Sequence, residues 1–258
     1  MRQITAVLFS LLLLSGSTQL MAQKKESGKK TMTWTTKSEA AKKLASEGVS
    51  HFLNIEFPQA YQEFTAALKL DPDFTIPLVF MANLSTGDVK KMYIQKAIKS
   101  AANKTEGEKL FASIVAEENT PAENRAKWAK LHEMFPDGGM IGAFYVNTRE
   151  TADERFAAAE EYIEQFPDNG FMYNAIAYMY MLEKKDMAMA KKNFEKYIEL
   201  YPEGSNPYDS MGEYYLTVGD TENAKKYYSM ALEKYPFTNS SITALQKINE
   251  AGKTQVKN

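Results

Sequence analysis

Five prolines set the frame of this sequence: Pro72, Pro136, Pro167, Pro202 and Pro236, at intervals of 64, 31, 35 and 34 residues, the first close to twice the others. Each lies in a near copy of one corner, KLDPDFT, EMFPDGG, EQFPDNG, ELYPEGS and EKYPFTN. Proline lacks a backbone N–H and clashes with the preceding turn, so a helix stops there. The Asp, Gly and Asn residues beside it favour a turn and cap the next helix. A period near 34 residues holds a helix, a turn, a second helix and a connector. One such pair cannot bury its apolar face alone, so a chain punctuated this way stacks its pairs side by side.

The sequence between the corners supports that reading. In SNPYDSMGEYYLTVGDTENAKKYYSMALEKYPFT, residues 205–238, Tyr208, Met211, Gly212 and Tyr215 share one helical face at spacings of three and four. Gly219-Asp220 then ends one helix and caps the next, whose inner face carries Ala224, Tyr228 and Ala231. Small residues let two helix axes approach, and the aromatics fill the space beside them.

This unit resembles a tetratricopeptide repeat (TPR) at all eight pattern positions: Tyr208, Met211, Gly212, Tyr215, Ala224, Tyr228, Ala231 and Pro236. Residues 41–74 match next best, through Leu44, Gly48, Ala60, Phe64, Ala67 and Pro72. Residues 171–204 keep Ala177, Ala190, Phe194 and Pro202 but carry Tyr178 and Tyr197 where small residues are usual. Residues 105–138 supply Phe111, Ala112, Val115, Trp128, Leu131 and Pro136, with Thr105 and Glu108 spaced as a capping box. Residues 75–103 lack the closing proline, and 139–169 are short with Ala159 at an aromatic position, so stacking is expected to fail there if anywhere. The resemblance implies an all-α, α-α superhelix of about six helix pairs over residues 38–251, closed by a capping helix that starts at Thr238 or Ser240. The closing run is also similar to repeats at the ends of exported bacterial hydrolases and regulators, Bacteroidota-like ones especially.

In such repeats the first helices line a concave groove that binds protein segments. Carried over, its lining is Asn206, Asp209, Glu213 and Leu216 in the last unit, Met172, Ala175, Met179 and Leu182 in the preceding one, and Lys42, Ala45, Val49 and Phe52 in the first. The implied function is a non-catalytic scaffold for a protein or peptide partner. Asp209 and Glu213 have a second reading as carboxylates favoured by a helix N-terminus, and Met179 and Phe52 as packing residues.

At the start of the chain Arg2 precedes the nearly continuous apolar run Ile4–Leu14 and the small residues up to Ala22, the pattern of a signal peptide cut after Ala22. An uncleaved anchor is the alternative; no stable membrane span is expected once the peptide is cut. Export to the periplasm or beyond is the resulting expectation. Residues 23–37, Lys-rich and polar, read as a flexible tether, and 252–258 as a disordered tail. Alternation in Thr31-Met32-Thr33-Trp34-Thr35 suits a strand, but no partner strand is apparent. Past residue 30 the chain carries 26 basic and 32 acidic side chains, a net −6 that argues against nucleic-acid binding.

The remaining chemistry is sparse. There is no cysteine, hence no disulfide, thiol nucleophile or thiolate metal site. The Met-rich run FMYNAIAYMYMLEKKDMAMA is the kind of sequence that holds Cu(I), yet Met179 and Met181 sit about 200° apart on a helix and do not chelate as a pair. They read as core packing. His132-Glu133 begins a zinc-protease motif that Pro136 breaks, and His51 reads as a half-buried packing residue. No catalytic array, metal site or cofactor is expected. A second function class stays open: a small-molecule or glycan site built on Phe171, Tyr173, Tyr178 and Tyr180.

Overall fold

A computed structural model describes residues 29–255 as helices and connecting loops, with no strand among the described residues. The helices pair in chain order. α1 (Glu39–Leu53) pairs with α2 (Phe57–Leu70), α3 (Thr75–Asn83) with α4 (Gly87–Ala101), and α5 (Glu106–Ser113) with α6 (Pro121–Met134). α7 (Gly139–Asn147) pairs with α8 (Ala152–Gln165), α9 (Gly170–Tyr178) with α10 (Met187–Leu200), and α11 (Asn206–Thr217) with α12 (Thr221–Lys234). α13 (Asn239–Gln255) covers the end of the stack, so residues 252–255, expected in a tail, continue a helix. The expected six pairs and capping helix are the observed architecture. The proposed signal peptide lies outside the described residues.

Each of the five corner prolines falls two residues past the end of a second helix, where the helix must stop. Side-chain caps begin the next elements: Ser38, Asp186 and Asp220 each accept a backbone N–H, and Thr105, Thr120 and Thr151 form full capping boxes with Glu108, Glu123 and Glu154. α4 ends without proline. Its exit turns through Lys104 N–H to Ala101 O, and the Thr105 cap starts α5 at once.

Within pairs, small residues sit under aromatic rings. A Cβ added at Gly48 would lie 2.7 Å from the Phe64 ring, and one at Gly212 2.7 Å from the Tyr228 ring. In the pair that carries Ala159 where an aromatic was expected, Tyr162 supplies the ring three residues later on the same helical face. It packs over Gly142 and donates its hydroxyl to Gly139 O at 3.1 Å. Gly212→Ala is expected to cost about 1–3 kcal/mol by overpacking. Thermal unfolding followed by circular dichroism should show a lowered midpoint with native helicity retained; an unchanged midpoint would mean that α11 and α12 are not held at this approach.

The two poorly matching units do not break the stack. Eight of the nine residues of α3 are buried, Thr75 to Ala82, and the core around it takes in side chains of α1 to α7 without interruption. Burial on every side explains why α3, unlike α4, has no amphipathic signature. The core then continues through the α7–α9, α9–α11 and α11–α13 interfaces as smaller clusters. α9 runs on into a π-helical segment, Met179–Lys184, which ends at Lys185 with φ +57°. Met179 packs toward the α7–α8 side and Met181 toward α10 and α11, both buried, so the methionines fill two different interfaces.

The segment expected to be a tether is ordered from Lys30 onward. Lys30 N–H donates to Asp137 at 2.7 Å, Asp137 N–H returns a bond to Lys30 O, and Thr35 N–H and hydroxyl both donate to the fully buried Glu108 carboxylate. Lys104 Nζ donates to the carbonyls of Thr35 and Asp73, and Thr36 Oγ1 to Asp71. The alternation is real: Met32 is buried, Trp34 half-buried, and Thr31, Thr33 and Thr35 exposed. Carboxylates at helix and corner positions take the place of a partner strand.

Candidate functional site

The twelve residues carried over as a groove lining do not form one open surface. Phe52 sits among Phe57, Phe80 and Phe144, with ring centroids 4.8–6.1 Å apart, and Trp128 stacks on Phe144 at 4.6 Å. The inner side of the first four pairs is thus filled by their own aromatics. Ala45 and Met172 are fully buried, Val49, Met179 and Asp209 nearly so, and Ala175 and Asn206 half-buried. Asp209 accepts a hydrogen bond from Ser241 of α13 and serves cap docking; burial pushes its carboxyl above the usual value. Leu182, Leu216, Lys42 and Glu213 are exposed, with Glu213 accepting from Tyr178 Oη at 2.7 Å.

The four aromatics of the small-molecule reading also diverge. Tyr178 turns to Phe194 and Glu213, Tyr180 packs edge-on to Phe156, and Tyr173 is half-buried; Phe171 alone of them lines a cleft.

A closing contact between distant parts of the chain decides what remains open. The loop between α1 and α2 reaches the junction of α10 and α11. Asn54 accepts from Tyr197 Oη at 2.8 Å, and Tyr197 Oη in turn accepts from Asn206 Nδ2. Glu56 is buried at 5% exposure and takes four donors: His51 Nδ1 at 2.8 Å, Tyr201 Oη at 2.7 Å, Ser205 N–H at 2.8 Å and Ser205 Oγ at 3.3 Å. Between them Ile55 adopts φ +62°, a left-handed backbone that a β-branched residue rarely takes. The side chain of Ile55 points to solvent at 52% exposure, so the loop geometry is held by Asn54 and Glu56 on either side. α1 also touches α7, which winds the superhelix tightly enough for its first pair to meet its fifth and sixth.

Titration of this latch has a definite sign. Burial opposes ionisation of Glu56, but the hydrogen bonds from His51, Tyr201 and Ser205 outweigh it and hold the carboxyl below its ordinary 4.5. The hydrogen bond to Glu56 raises the His51 imidazole above its ordinary 6.5 against desolvation. A depressed acid stabilises above its unfolded pKa and loses that contribution as pH falls through the folded value; a raised base stabilises below its unfolded pKa and loses it as pH rises through the folded value. Both contributions are therefore complete between about 4.5 and 6.5. Thermal midpoints measured across pH 3–9 should peak in that window, and His51→Gln should flatten the alkaline side and weaken the acid side as well, because Glu56 loses the imidazole that helps hold it ionised.

Beside the latch lies a cleft of about 360 Å³, walled by Ser46, Val49, Ser50 and Leu53 of α1 and Asn54 just past its end, and opposite by Met140, Tyr162, Phe171, Leu200 and Tyr201. A second hollow of about 480 Å³ shares Trp34, Ser46, Gly139 and Met140 with it and extends past Lys42 to Met32 and Asp137. Of the groove residues expected from sequence, Lys42 and Val49 line this cleft. Trp34, Ser46, Met140 and Tyr201 were not foreseen. Alternation around Trp34 was the available signal for one of them, and Tyr197, a tyrosine at a small-residue position, the signal for the closure.

The cleft combines aromatic walls with hydroxyl and amide groups, and its charges stand at the rims: Asp168 on one side, Lys42 and Asp137 on the other. No histidine lines it. Elsewhere His132 is stacked on Tyr145 at 4.3 Å, its Nδ1 buried without a hydrogen-bond partner and its pKa lowered by burial. Among the described residues no cluster of His, Asp or Glu is arranged to hold a metal ion, and no helix is long and apolar enough to cross a membrane.

Comparison with solved structures places this architecture. The structure aligns with yeast Tom70 at a TM-score of 0.51 and 16% identity, over 80% of this chain and 47% of that one. The fold is that of a TPR solenoid. Weaker alignments include PilW, a widely conserved type IV pilus biogenesis factor (TM-score 0.47, 15% identity, 81% of this chain and 99% of that one), and a thermophilic TPR protein of Thermus thermophilus (0.39, 16%, 81% and 98%). The chain spans about half the length of Tom70. No protein-family model matches the sequence, and no curated relative does.

Proposed function

We propose that this TPR-fold protein is a non-catalytic, exported bacterial scaffold that binds a segment of another protein in the cleft between α1 and the α7–α10 side of the superhelix. The observation that carries the reading is the cleft itself. It is the space left on the inner side where aromatic packing and the Glu56 latch have closed the rest, and it offers apolar walls with hydrogen-bonding groups at a side-chain scale. An extended segment suits such a lining: its side chains enter the hollows beside Trp34 and Phe171, and its backbone meets the exposed Ser46 and Ser50. Export rests on the apolar run Ile4–Leu14 and the small residues after it.

A displayed peptide library tests the proposal directly. Ser46 is exposed on α1 and faces both hollows, so Ser46→Trp fills them without disturbing a buried contact. Selection on the wild-type chain is expected to enrich peptides whose affinity falls at least about tenfold on the Ser46→Trp protein, about 1.4 kcal/mol. Peptides that bind both proteins equally would place recognition outside the cleft.

A further inference from the structure

The second helix of the second pair carries a surface that neither the core nor the cleft uses. α4 buries Ile94, Ala97 and Ala101 and turns its other side to solvent. There Val89 is 52% and Met92 39% exposed, while Ile98, 45% exposed, stands on the opposite side of the helix from Val89, toward α5. Lys96 and Lys99, both exposed, stand on the same side as Val89; Lys91, exposed, and Lys90, half-exposed, lie on other sides of the helix. At 3.6 residues per turn Val89, Met92, Tyr93, Lys96 and Lys99 fall within a sector of about 120°. Lys96 Nζ lies over the Tyr93 ring at 6.0 Å, and burial, with a smaller contribution from Tyr61 of α2, itself 46% exposed, raises the Tyr93 phenol.

Among the described residues none of these four lysines makes an ion pair, although lysines on α1, α6, α10 and α12 do. Asp88 is the one acidic residue on α4. A chain with net charge −2 thus gathers unpaired cations and exposed apolar groups on one helix.

We infer that the α4 face, with Tyr61 beside it, is a contact surface for an anionic lipid bilayer. Three features favour a bilayer over an acidic protein. The cations are all lysines, whose long stems lie along apolar surface while the ammonium reaches outward. Val89 and Met92 lie beside Lys96 and Lys99 on one face, where they enter the headgroup boundary as the lysines meet the phosphates. Tyrosines, with an apolar ring and a polar tip, flank the patch as they do at membrane interfaces. The face is the outside of a helix and lines neither hollow of the cleft, so bound lipid leaves the proposed peptide site open. The inference does not rest on that site.

The absence of cysteine makes a local probe available. The full chain carries Val89→Cys labelled with an environment-sensitive fluorophore, and a control carries the same label at Val218→Cys, 44% exposed on α11's end. Each is titrated with vesicles of phosphatidylglycerol and phosphatidylcholine, with pure phosphatidylcholine vesicles, and with polyglutamate. The expected result is a blue shift at position 89 with the anionic vesicles alone and none at 218, with partitioning reduced at least about tenfold by Lys96→Glu with Lys99→Glu or by raised salt. Comparing two label positions separates this contact from any membrane affinity of the apolar run near the N-terminus. No shift at 89, an equal shift at both positions or with neutral vesicles, a shift indifferent to the lysine reversals, or a shift given by polyglutamate and not by vesicles would each overturn the assignment.

Discussion

Glu56→Ala is expected to open the superhelix at its closing contact and to cost about 3 kcal/mol, because the change leaves buried donors without an acceptor. The donors are specific: His51 Nδ1, Tyr201 Oη and Ser205 N–H converge on this one carboxylate from sequence distances of 5, 145 and 149 residues. In the wild type they are satisfied together, so the loss is cooperative. Glu56→Gln keeps an oxygen for Ser205 N–H and gives up the charge that attracts His51, and its cost should be nearer 1 kcal/mol. Urea unfolding would measure both variants. Hydrogen exchange adds location: protection should fall at the α1–α2 loop and the start of α11 in Glu56→Ala while the α3 amides stay protected. A Glu56→Ala protein with unchanged stability and unchanged exchange at these two places would show that the contact does not hold the chain closed.

A second large effect is expected at Phe80, 1% exposed, where rings of five helices meet. Phe64 stacks on it at 4.9 Å, Phe52 approaches edge-on at 4.8 Å, and Phe111 and Phe144 lie at 6.1 and 6.0 Å. Phe80→Ala removes the ring that links α1, α2, α5 and α7 through α3. Large-to-small changes of this kind cost about 3–5 kcal/mol, from lost transfer energy and the cavity left behind. For a chain of this size that corresponds to a midpoint lowered by roughly 6–20 °C. Phe80→Leu, which refills part of the volume, should recover more than half of the loss. Solenoids lose stability through nearest-neighbour interfaces, so the first part to unfold in Phe80→Ala should be α1 to α7, with α11 to α13 melting later. Unfolding of the whole chain in a single unshifted transition would contradict the ring cluster's role.

The difference between what sequence patterning reveals and what it hides is physical. Pro72, Gly48 with Phe64, and Gly212 with Tyr228 act within one pair or between neighbours, at fixed spacings, and those spacings repeat; helix pairing and stacking were legible from them. α3 was obscured because a helix buried on every side has no polar stripe to mark its period. Residues 30–36 were misjudged for a related reason. Their partners are the side-chain carboxylates of Glu108, Asp137 and Asp71, and polar threonines and lysines held in this way look the same in sequence as those of a tether.

The cleft was legible only in part. Lys42 and Val49 follow from the repeat register, but the register assumes an open superhelix whose inner positions face solvent. Here the chain winds until Asn54 meets Tyr197, a contact across 143 residues for which a repeat of about 34 carries no signal. What the sequence does show is the departure itself: Tyr197 stands where its repeat normally places a small residue, and its hydroxyl is the group that reaches Asn54. Aromatic filling by Phe52, Phe80 and Phe144 then turned expected groove positions into core.

The most direct test of the closed superhelix is a distance measured across its latch. Ile55 and Glu203 are both exposed, one in the α1–α2 loop and the other in the corner before α11, and the chain has no native cysteine to interfere. Spin labels at Ile55→Cys and Glu203→Cys, read by double electron–electron resonance, should give one narrow short-distance population in the otherwise wild-type protein. Glu56→Ala should convert it to a broad, longer one. A long or broad distribution in the wild-type background would contradict the closure, and with it the cleft that the closure leaves beside Trp34.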